Sequence, residues 1–137
     1  MSTQSSPARG RMEWSVEGFR AFWSDPDPAR VPQVLTEDVV GHWAGLDEPV
    51  HGREDYTRCI AALVDALPGM YLEVAEHAQN GDFVFVRWIM HATGEHGPFA
   101  LHGIDRVRVR DGIVAENVVV FDTAAFRRRS GKEVPWI

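Results

Sequence analysis

The spacing of the apolar residues changes near Met70 from a helical period to strict alternation, and this change restricts the possible folds more than any other feature. Before it, apolar residues recur every three or four positions in three segments, which predict a helix starting near Glu13, a short second helix at 29–35 and a third helix at 53–67. One strand is predicted between the second and third helices, at about 39–43. After the change, alternating segments separated by short polar turns predict four strands, at 70–78, 82–93, 99–110 and 113–122.

Helices followed by a long antiparallel sheet predict an α+β fold, in which a bent, cone-shaped and mostly antiparallel sheet wraps around the three N-terminal helices. A cone of this kind is open at one end and forms a natural pocket. With 137 residues, the chain has room for one domain with a single core. We expect this domain at residues 12–122, after a flexible N-terminal arm at 1–11 and before a C-terminal tail at 123–137.

Charge and missing motifs exclude several classes of function. The net charge is −6, and because both ends carry a net positive charge, the part between them is more acidic still, so nucleic acid is not expected as a partner. No apolar run is long enough for a membrane span or a signal core, and we therefore expect a cytoplasmic protein that does not bind membranes. The only lysine is Lys132, and the motifs of serine hydrolases and nucleotide-binding proteins are absent. We expect no cofactor, and the single Cys59 allows no internal disulfide.

The predicted hairpin at 101–122 carries the main candidates for chemistry. In its first strand Asp105 shares a face with two valines, while three arginines point the other way. We expect a three-residue loop at 110–112, which places Asp105 opposite Asn117. An acid on an apolar face is either hydrogen-bonded with an ordinary pKa or kept neutral by desolvation. Asp105 is therefore predicted to be a pocket acid, and the alternative is a structural aspartate bonded to Asn117 or to backbone amides. The predicted inward face consists of Asp105, Val107, Val109, Ala115, Asn117, Val119 and Phe121.

Two further residues are candidates for acid–base chemistry. Asn117 would orient Asp105 or bind a substrate carbonyl, with an ordinary hydrogen bond within the sheet as the alternative. His42 stands next to Trp43 in the first strand, so the two side chains face opposite sides of the sheet. If Trp43 faces the pocket, His42 faces away, and a shift of one residue reverses them. His42 is thus a candidate base or acid. The remaining histidines lack the spacing of metal ligands, and no metal site is expected.

Five tryptophans in 137 residues are a heavy aromatic load for one domain. A cone lined by such side chains would favour a flat, hydrophobic ligand, aromatic or polycyclic, although each residue by itself is more often part of a core than a ligand contact. The candidate ligand-binding residues are Trp14, Phe19, Trp43, Tyr56, Trp88, Met90, Val119 and Phe121.

The last predicted strand is apolar on both faces. Val114, Val118 and Val120 point outward, and only Glu116 interrupts this run. A strand that is apolar on both faces is normally covered on both faces. One cover is the protein's own helices, and the second could be another subunit. We therefore expect a homodimer that uses these three valines.

Two segments carry a resemblance to a known family. The segments T-E-D-V-V-G-H-W-A-G-L-D-E-P-V-H-G-R and R-V-R-D-G-I-V-A-E-N-V-V-V-F-D, in this order of elements, resemble the SnoaL-like polyketide cyclases. That family belongs to the nuclear-transport-factor-2-like superfamily, which also includes ketosteroid isomerase and limonene epoxide hydrolase. The resemblance covers about residues 12–122 and implies the α+β cone described above.

The resemblance also assigns roles to positions. Asp105 falls where ketosteroid isomerases have a protonated aspartate in the oxyanion hole. The isomerase's base aspartate corresponds to Trp43, its oxyanion tyrosine to Phe19, and the cyclases' acid/base aspartate to Val119. Three of the four expected catalytic groups are therefore apolar in this chain.

The favoured interpretation is a cofactor-independent cyclase, isomerase or dehydratase that acts on a small hydrophobic carbonyl compound. Asp105, neutral or nearly so, would donate a hydrogen bond to a developing enolate oxygen, and a histidine or water would move the proton. The alternative is a module of the same fold that binds hydrophobic ligands or supports assembly without catalysis.

Overall fold

The computed structural model describes residues 13–137, so the predicted flexible arm at residues 1–11 lies outside the described residues. The described chain contains three α-helices, one 3₁₀ helix and six strands. In chain order they are α1 (Val16–Ser24), the 3₁₀ helix (Pro28–Val34), β1 (Leu35–Trp43), β2 (Val50–His51), α2 (Arg53–Ala66), β3 (Tyr71–Asn80), β4 (Phe83–Gly94), β5 (Gly97–Arg110), β6 (Ile113–Phe121) and α3 (Thr123–Ser130).

The six strands form one sheet in the order β2-β1-β6-β5-β4-β3. Strand β1 runs parallel to β6, and the other neighbouring strands are antiparallel. The sheet does not close into a barrel, and α1 and α2 bury their apolar residues in a core shared with one face of the sheet. The predicted α+β fold, with N-terminal helices held by a mostly antiparallel sheet, is confirmed. We call the face that carries the helices the concave face and the other the convex face.

The second predicted helix is a 3₁₀ helix, and it ends one residue earlier than expected. Pro32 lies inside it, and proline has no backbone N–H for a regular helical hydrogen bond. The Asp27 side chain accepts a hydrogen bond from the backbone N–H of Ala29 and so caps the start of this segment. Leu35, which was expected to be helical, instead begins β1.

The hairpin between β5 and β6 has a shorter loop than predicted. Arg110 pairs directly with Ile113, which leaves a two-residue turn at Asp111 and Gly112 with φ values of 55° and 82°. Two left-handed residues make a type I′ turn, whose twist matches that of the strands. The register then shifts between Arg108 and Val109. Arg108 pairs with Glu116 and Val109 pairs with Val114, so Ala115 is the extra residue of a β-bulge.

This turn and bulge correct two predictions. Asp105 pairs with Val119 and Asn117 pairs with Val107, so Asp105 and Asn117 are diagonal neighbours rather than directly opposite. The extra residue at Ala115 also turns Val114 inward, where it is buried in the core. Val114 is therefore not part of an outward-facing apolar surface.

The segment 123–137, which the sequence analysis treated as a tail, contains α3 and a buried end. The Asp122 side chain accepts a hydrogen bond from the N–H of Ala125 and caps the helix start, while Gly131 ends the helix with a φ of 69°. Phe126 and Trp136 from this segment belong to the core. Among the described residues, no helix is long and apolar enough to cross a membrane.

Candidate functional site

A cavity of about 130 Å³ lies between α1, the 3₁₀ helix, α2 and the concave face of the sheet. Its wall is mostly apolar, and it therefore favours a hydrophobic ligand. An engineered cavity of about 150 Å³ holds benzene, so the enclosed space suits a single ring. The candidate ligand-binding residues all line it, namely Trp14, Phe19, Trp43, Tyr56, Trp88, Met90, Val119 and Phe121.

Four side chains in the cavity wall form a hydrogen-bonded group, which we call the polar cluster: Tyr56, Trp88, Asp105 and Asn117. Trp88 Nε1 donates to Asp105 Oδ1 over 2.8 Å, and Asn117 Nδ2 donates to Asp105 Oδ2 over 2.8 Å. Asn117 Nδ2 also donates to the Tyr56 hydroxyl over 2.9 Å. The contact between Asp105 and Asn117 was predicted from the sequence, whereas Tyr56 and Trp88 were expected only to contact a ligand.

Two glycines make room for the aromatic members of the polar cluster. Gly103 on β5 pairs with Trp88 on β4, and a side-chain carbon at Gly103 would overlap the Trp88 indole. Gly41 on β1 lies under Tyr56, where an added Cβ would be 3.1 Å from the Tyr56 ring. The missing side chains allow both rings to approach the strand backbone closely. This role of glycines inside strands was the signal that the sequence analysis missed.

Burial changes the acidity of two members of the polar cluster. Desolvation raises the pKa of Asp105 to about 6, although the hydrogen bonds from Asn117 and Trp88 act in the opposite direction. The upward direction is the one expected from the sequence. With a pKa of about 6, Asp105 gives up its proton as the pH rises from acidic towards neutral, and its role as a neutral donor stays a prediction. Desolvation and the nearby charge of Asp105 raise the pKa of Tyr56, which therefore stays protonated.

His42 lies on the convex face, outside the cavity. Its Nε2 is 3.0 Å from Glu116 Oε2, and its side chain is 41% exposed. Burial alone would raise the pKa of Glu116, but the hydrogen bond with His42 and the charge of Arg106 together lower it. Trp43 lines the cavity and His42 faces away from it, which is the first of the two arrangements considered from the sequence.

Trp136, which precedes the last residue of the sequence, forms part of the cavity wall and was not among the candidate ligand-binding residues. Its ring lies 5.0 Å from the Trp43 ring, and its Nε1 donates to the backbone carbonyl of Cys59 over 2.7 Å. Gly45 allows this end of the chain to approach, since a Cβ there would be 2.6 Å from the Ile137 backbone. The apolar residues at 134–137 were the sequence feature that indicated burial of this segment.

Polar side chains mark the rim of the cavity near α1 and the 3₁₀ helix. Glu13, Ser15 and Arg30 are exposed and also line the cavity. A ligand larger than one ring would extend past these residues. Within residues 13–137, no three His, Cys, Asp or Glu side chains are placed to hold a metal ion.

Sequence comparison identifies the family. The model of the SnoaL-like domain matches residues 16–117, which is most of the chain and includes all four members of the polar cluster. This chain belongs to the SnoaL-like domain family. The resemblance stated from the sequence is therefore confirmed. None of the curated proteins matches the sequence of this SnoaL-like protein at a significant level.

Solved structures show the same fold at low sequence identity. A protein from Catenulispora acidiphila with a ketosteroid isomerase-like fold, in complex with trimethylamine, has a TM-score of 0.75 at 16% identity, over 89% of this chain and 95% of that one. A putative polyketide cyclase from Bacillus cereus gives 0.72 at 22% identity, over 85% and 77% of the two chains. IdmH, a putative polyketide cyclase from Streptomyces antibioticus, gives 0.71 at 22%, over 85% and 96%. These similarities establish the ketosteroid isomerase-like fold alone.

Proposed function

We propose that this SnoaL-like protein is a cofactor-independent acid–base enzyme of the cyclase type, which acts on a small hydrophobic carbonyl compound. The observation that carries the proposal is the polar cluster, a buried carboxylate with a phenol and an amide beside it in an otherwise apolar cavity. Such a site would bind an apolar molecule and bring one proton acceptor and one donor to it.

In this proposal Asp105 is the general base. Its pKa, which desolvation raises to about 6, is closer to neutrality than that of an ordinary aspartate, and a base of this kind accepts protons more effectively while remaining ionised at pH 7. Trp88 and Asn117 hold the carboxylate in one orientation. A carboxylate can accept more hydrogen bonds than these two, so Asp105 keeps lone pairs for a ligand proton.

Tyr56 supplies the matching donor. Removal of a proton next to a carbonyl group places negative charge on the carbonyl oxygen. The Tyr56 hydroxyl is protonated, buried in the cavity wall and next to Asn117, so it can donate to that oxygen. In this proposal Asp105 is the base and Tyr56 is the donor. From the sequence we expected a neutral Asp105 as the donor and a histidine or water to move the proton.

This first step, proton removal from a carbon acid, is shared by cyclases, isomerases and dehydratases. The cyclase type is favoured because two structures with this fold, from Bacillus cereus and Streptomyces antibioticus, are described as putative polyketide cyclases. The size of the cavity favours a ligand that buries one ring and leaves any further rings outside.

The exchange of the methyl hydrogens of acetophenone for deuterium tests the base role, because this probe has one ring and an enolisable ketone. We expect the protein to accelerate this exchange in D₂O, as measured by proton NMR. In Asp105→Asn we expect the exchange rate to fall by about 100-fold or more. Asp47→Asn changes an exposed aspartate in the loop after β1 and serves as the control. Equal exchange rates for Asp105→Asn and the unmodified protein would rule out Asp105 as the base.

The second candidate is a binding module without catalysis. It is favoured by the fact that both oxygens of Asp105 already accept hydrogen bonds from the protein, as a structural carboxylate would. This candidate predicts that acetophenone binds without exchange. Binding measured by ligand-observed NMR, together with the exchange rate, therefore separates the two candidates.

A further inference from the structure

Two hydrogen-bonding groups in the polar cluster lack a partner among the described residues. Asn117 Oδ1 is fully buried and receives no hydrogen bond. The Tyr56 hydroxyl accepts from Asn117, but no residue within 13–137 accepts its hydrogen. Asn117 is 4% exposed and Tyr56 5%, and both line the cavity. Buried polar groups are normally satisfied, so this pair calls for a partner beyond the described residues.

The charge on Asp105 determines which end of the Asn117 amide remains free. A carboxylate only accepts hydrogen bonds, so the NH₂ group of Asn117 has to face Asp105, as the 2.8 Å bond shows. The NH₂ group donates one hydrogen to Asp105 and the other to Tyr56. The amide oxygen, Oδ1, is then the atom of Asn117 that can still form a hydrogen bond. One free acceptor, on Asn117, therefore lies next to one free donor, on Tyr56.

We infer that the cavity takes a single ring that carries a hydroxyl group, as a phenol or a ring enol, with the hydroxyl accepting from Tyr56 and donating to Asn117. This names the class of molecule that the site binds and rests on the proposed function only for the place of binding. The oxygen of the phenol or ring enol takes the position beside Tyr56 that the proposed function gives to the carbonyl oxygen, so the single Tyr56 hydrogen has one acceptor. A hydroxyl both donates and accepts, whereas a ketone or an ether would satisfy Tyr56 and leave Asn117 Oδ1 without a donor. The cavity of about 130 Å³ has the size required for one ring.

The inference predicts the opposite ligand preference to that of a purely apolar cavity. Moving a hydroxyl from water into a cavity without partners is unfavourable, so such a cavity prefers toluene to phenol. Here the hydroxyl exchanges its bonds with water for bonds to Tyr56 and Asn117 and satisfies two buried groups at once. Phenol should therefore bind more tightly than toluene, and also more tightly than anisole, whose oxygen can accept but cannot donate.

Binding of phenol, anisole and toluene, measured by ligand-observed NMR and calorimetry, tests the inference. In Tyr56→Phe and Asn117→Leu we expect the preference for phenol over toluene to fall by about tenfold or more, while toluene binds much as before. Unchanged toluene binding also shows that the cavity of each variant is intact. The comparison of phenol with anisole in the unmodified protein needs no variant, and it remains informative if a variant fails to fold.

Tighter binding of toluene than phenol by the unmodified protein would overturn the inference, as would a phenol preference that both variants retain. Failure of the proposed function looks different. Acetophenone exchange could be absent while phenol remains preferred, which would leave a binding module for ring hydroxyls. Exchange that depends on Asp105, without a phenol preference, would keep the enzyme and reject this substrate class.

Discussion

The Asp105 carboxylate experiences two opposing effects on its pKa. Burial among apolar side chains disfavours the charge, whereas the hydrogen bonds from Trp88 and Asn117 favour it. Desolvation is the larger effect, and the pKa rises to about 6. The alternation of residues in the hairpin predicted the burial of Asp105. It could not predict the tryptophan donor, because that contact joins residues on different strands through the empty space above Gly103.

The raised pKa of Asp105 makes stability depend on pH. Because the folded state binds the proton more tightly than the unfolded state, the contribution of Asp105 is fully present below pH 4 and is lost as pH rises through about 6. Asp105→Asn has no such proton. We therefore expect the free energy of unfolding of the unmodified protein, relative to the variant, to fall by up to about 3 kcal/mol between pH 4 and pH 7.

Urea unfolding of both proteins across this pH range measures the difference. The variant also changes the hydrogen bonds of Trp88 and Asn117, but that effect is the same at every pH and does not alter the slope. A difference that stays constant from pH 4 to pH 7 would show that the pKa of Asp105 is the same in the folded and unfolded states.

The helices and strands show which local signals in the sequence are reliable. The apolar period located α1, α2, β4 and β5 because each of these elements buries one regular face. The hairpin register depends on the turn type. Asp111 adopts a left-handed conformation, which makes the turn two residues long instead of the predicted three. The helix α3 has few apolar residues and is held by tertiary contacts of Phe126, which no local pattern reveals.

The pairing of Gly103 with Trp88 leads to a prediction about the sheet. Gly103→Ala would force the Trp88 indole away from β5 and break its hydrogen bond to Asp105. We expect a loss of about 1–3 kcal/mol in the free energy of unfolding, as for other overpacked cores. The pKa of Asp105, followed by carboxyl NMR, should rise further because one of the two donors is lost.

His102→Ala, at the neighbouring position on the opposite face, is the matched control, since His102 is exposed on the convex face. The control should leave the pKa of Asp105 unchanged. If Gly103→Ala is as stable as this control and has the same Asp105 pKa, the close packing of Trp88 on Gly103 is not what holds the polar cluster.

Across the whole molecule, the concave face is filled by helices while the convex face carries an exposed apolar patch. The patch consists of Phe85, Ile104 and Val120, which are 40%, 41% and 56% exposed. Ile104 and Val120 are direct partners in the sheet, and Val118 lies beside them on the same face. Exposed apolar patches on a sheet often mark an interface. We therefore propose that the protein is a homodimer formed through the convex face, without the contribution first expected from Val114.

A charge at Val120 tests this proposal at the scale of the whole molecule. In a two-fold interface Val120 of both subunits would be buried, so Val120→Asp introduces two unpaired charges and should convert the dimer to a monomer. Thr93→Asp places the same charge on an exposed position of β4 outside the patch, and it should leave the dimer intact. Light scattering coupled to size exclusion gives the mass of each variant, and circular dichroism shows that each is folded. A monomeric mass for the unmodified protein, or a dimer that survives Val120→Asp, would assign the convex patch no role in assembly.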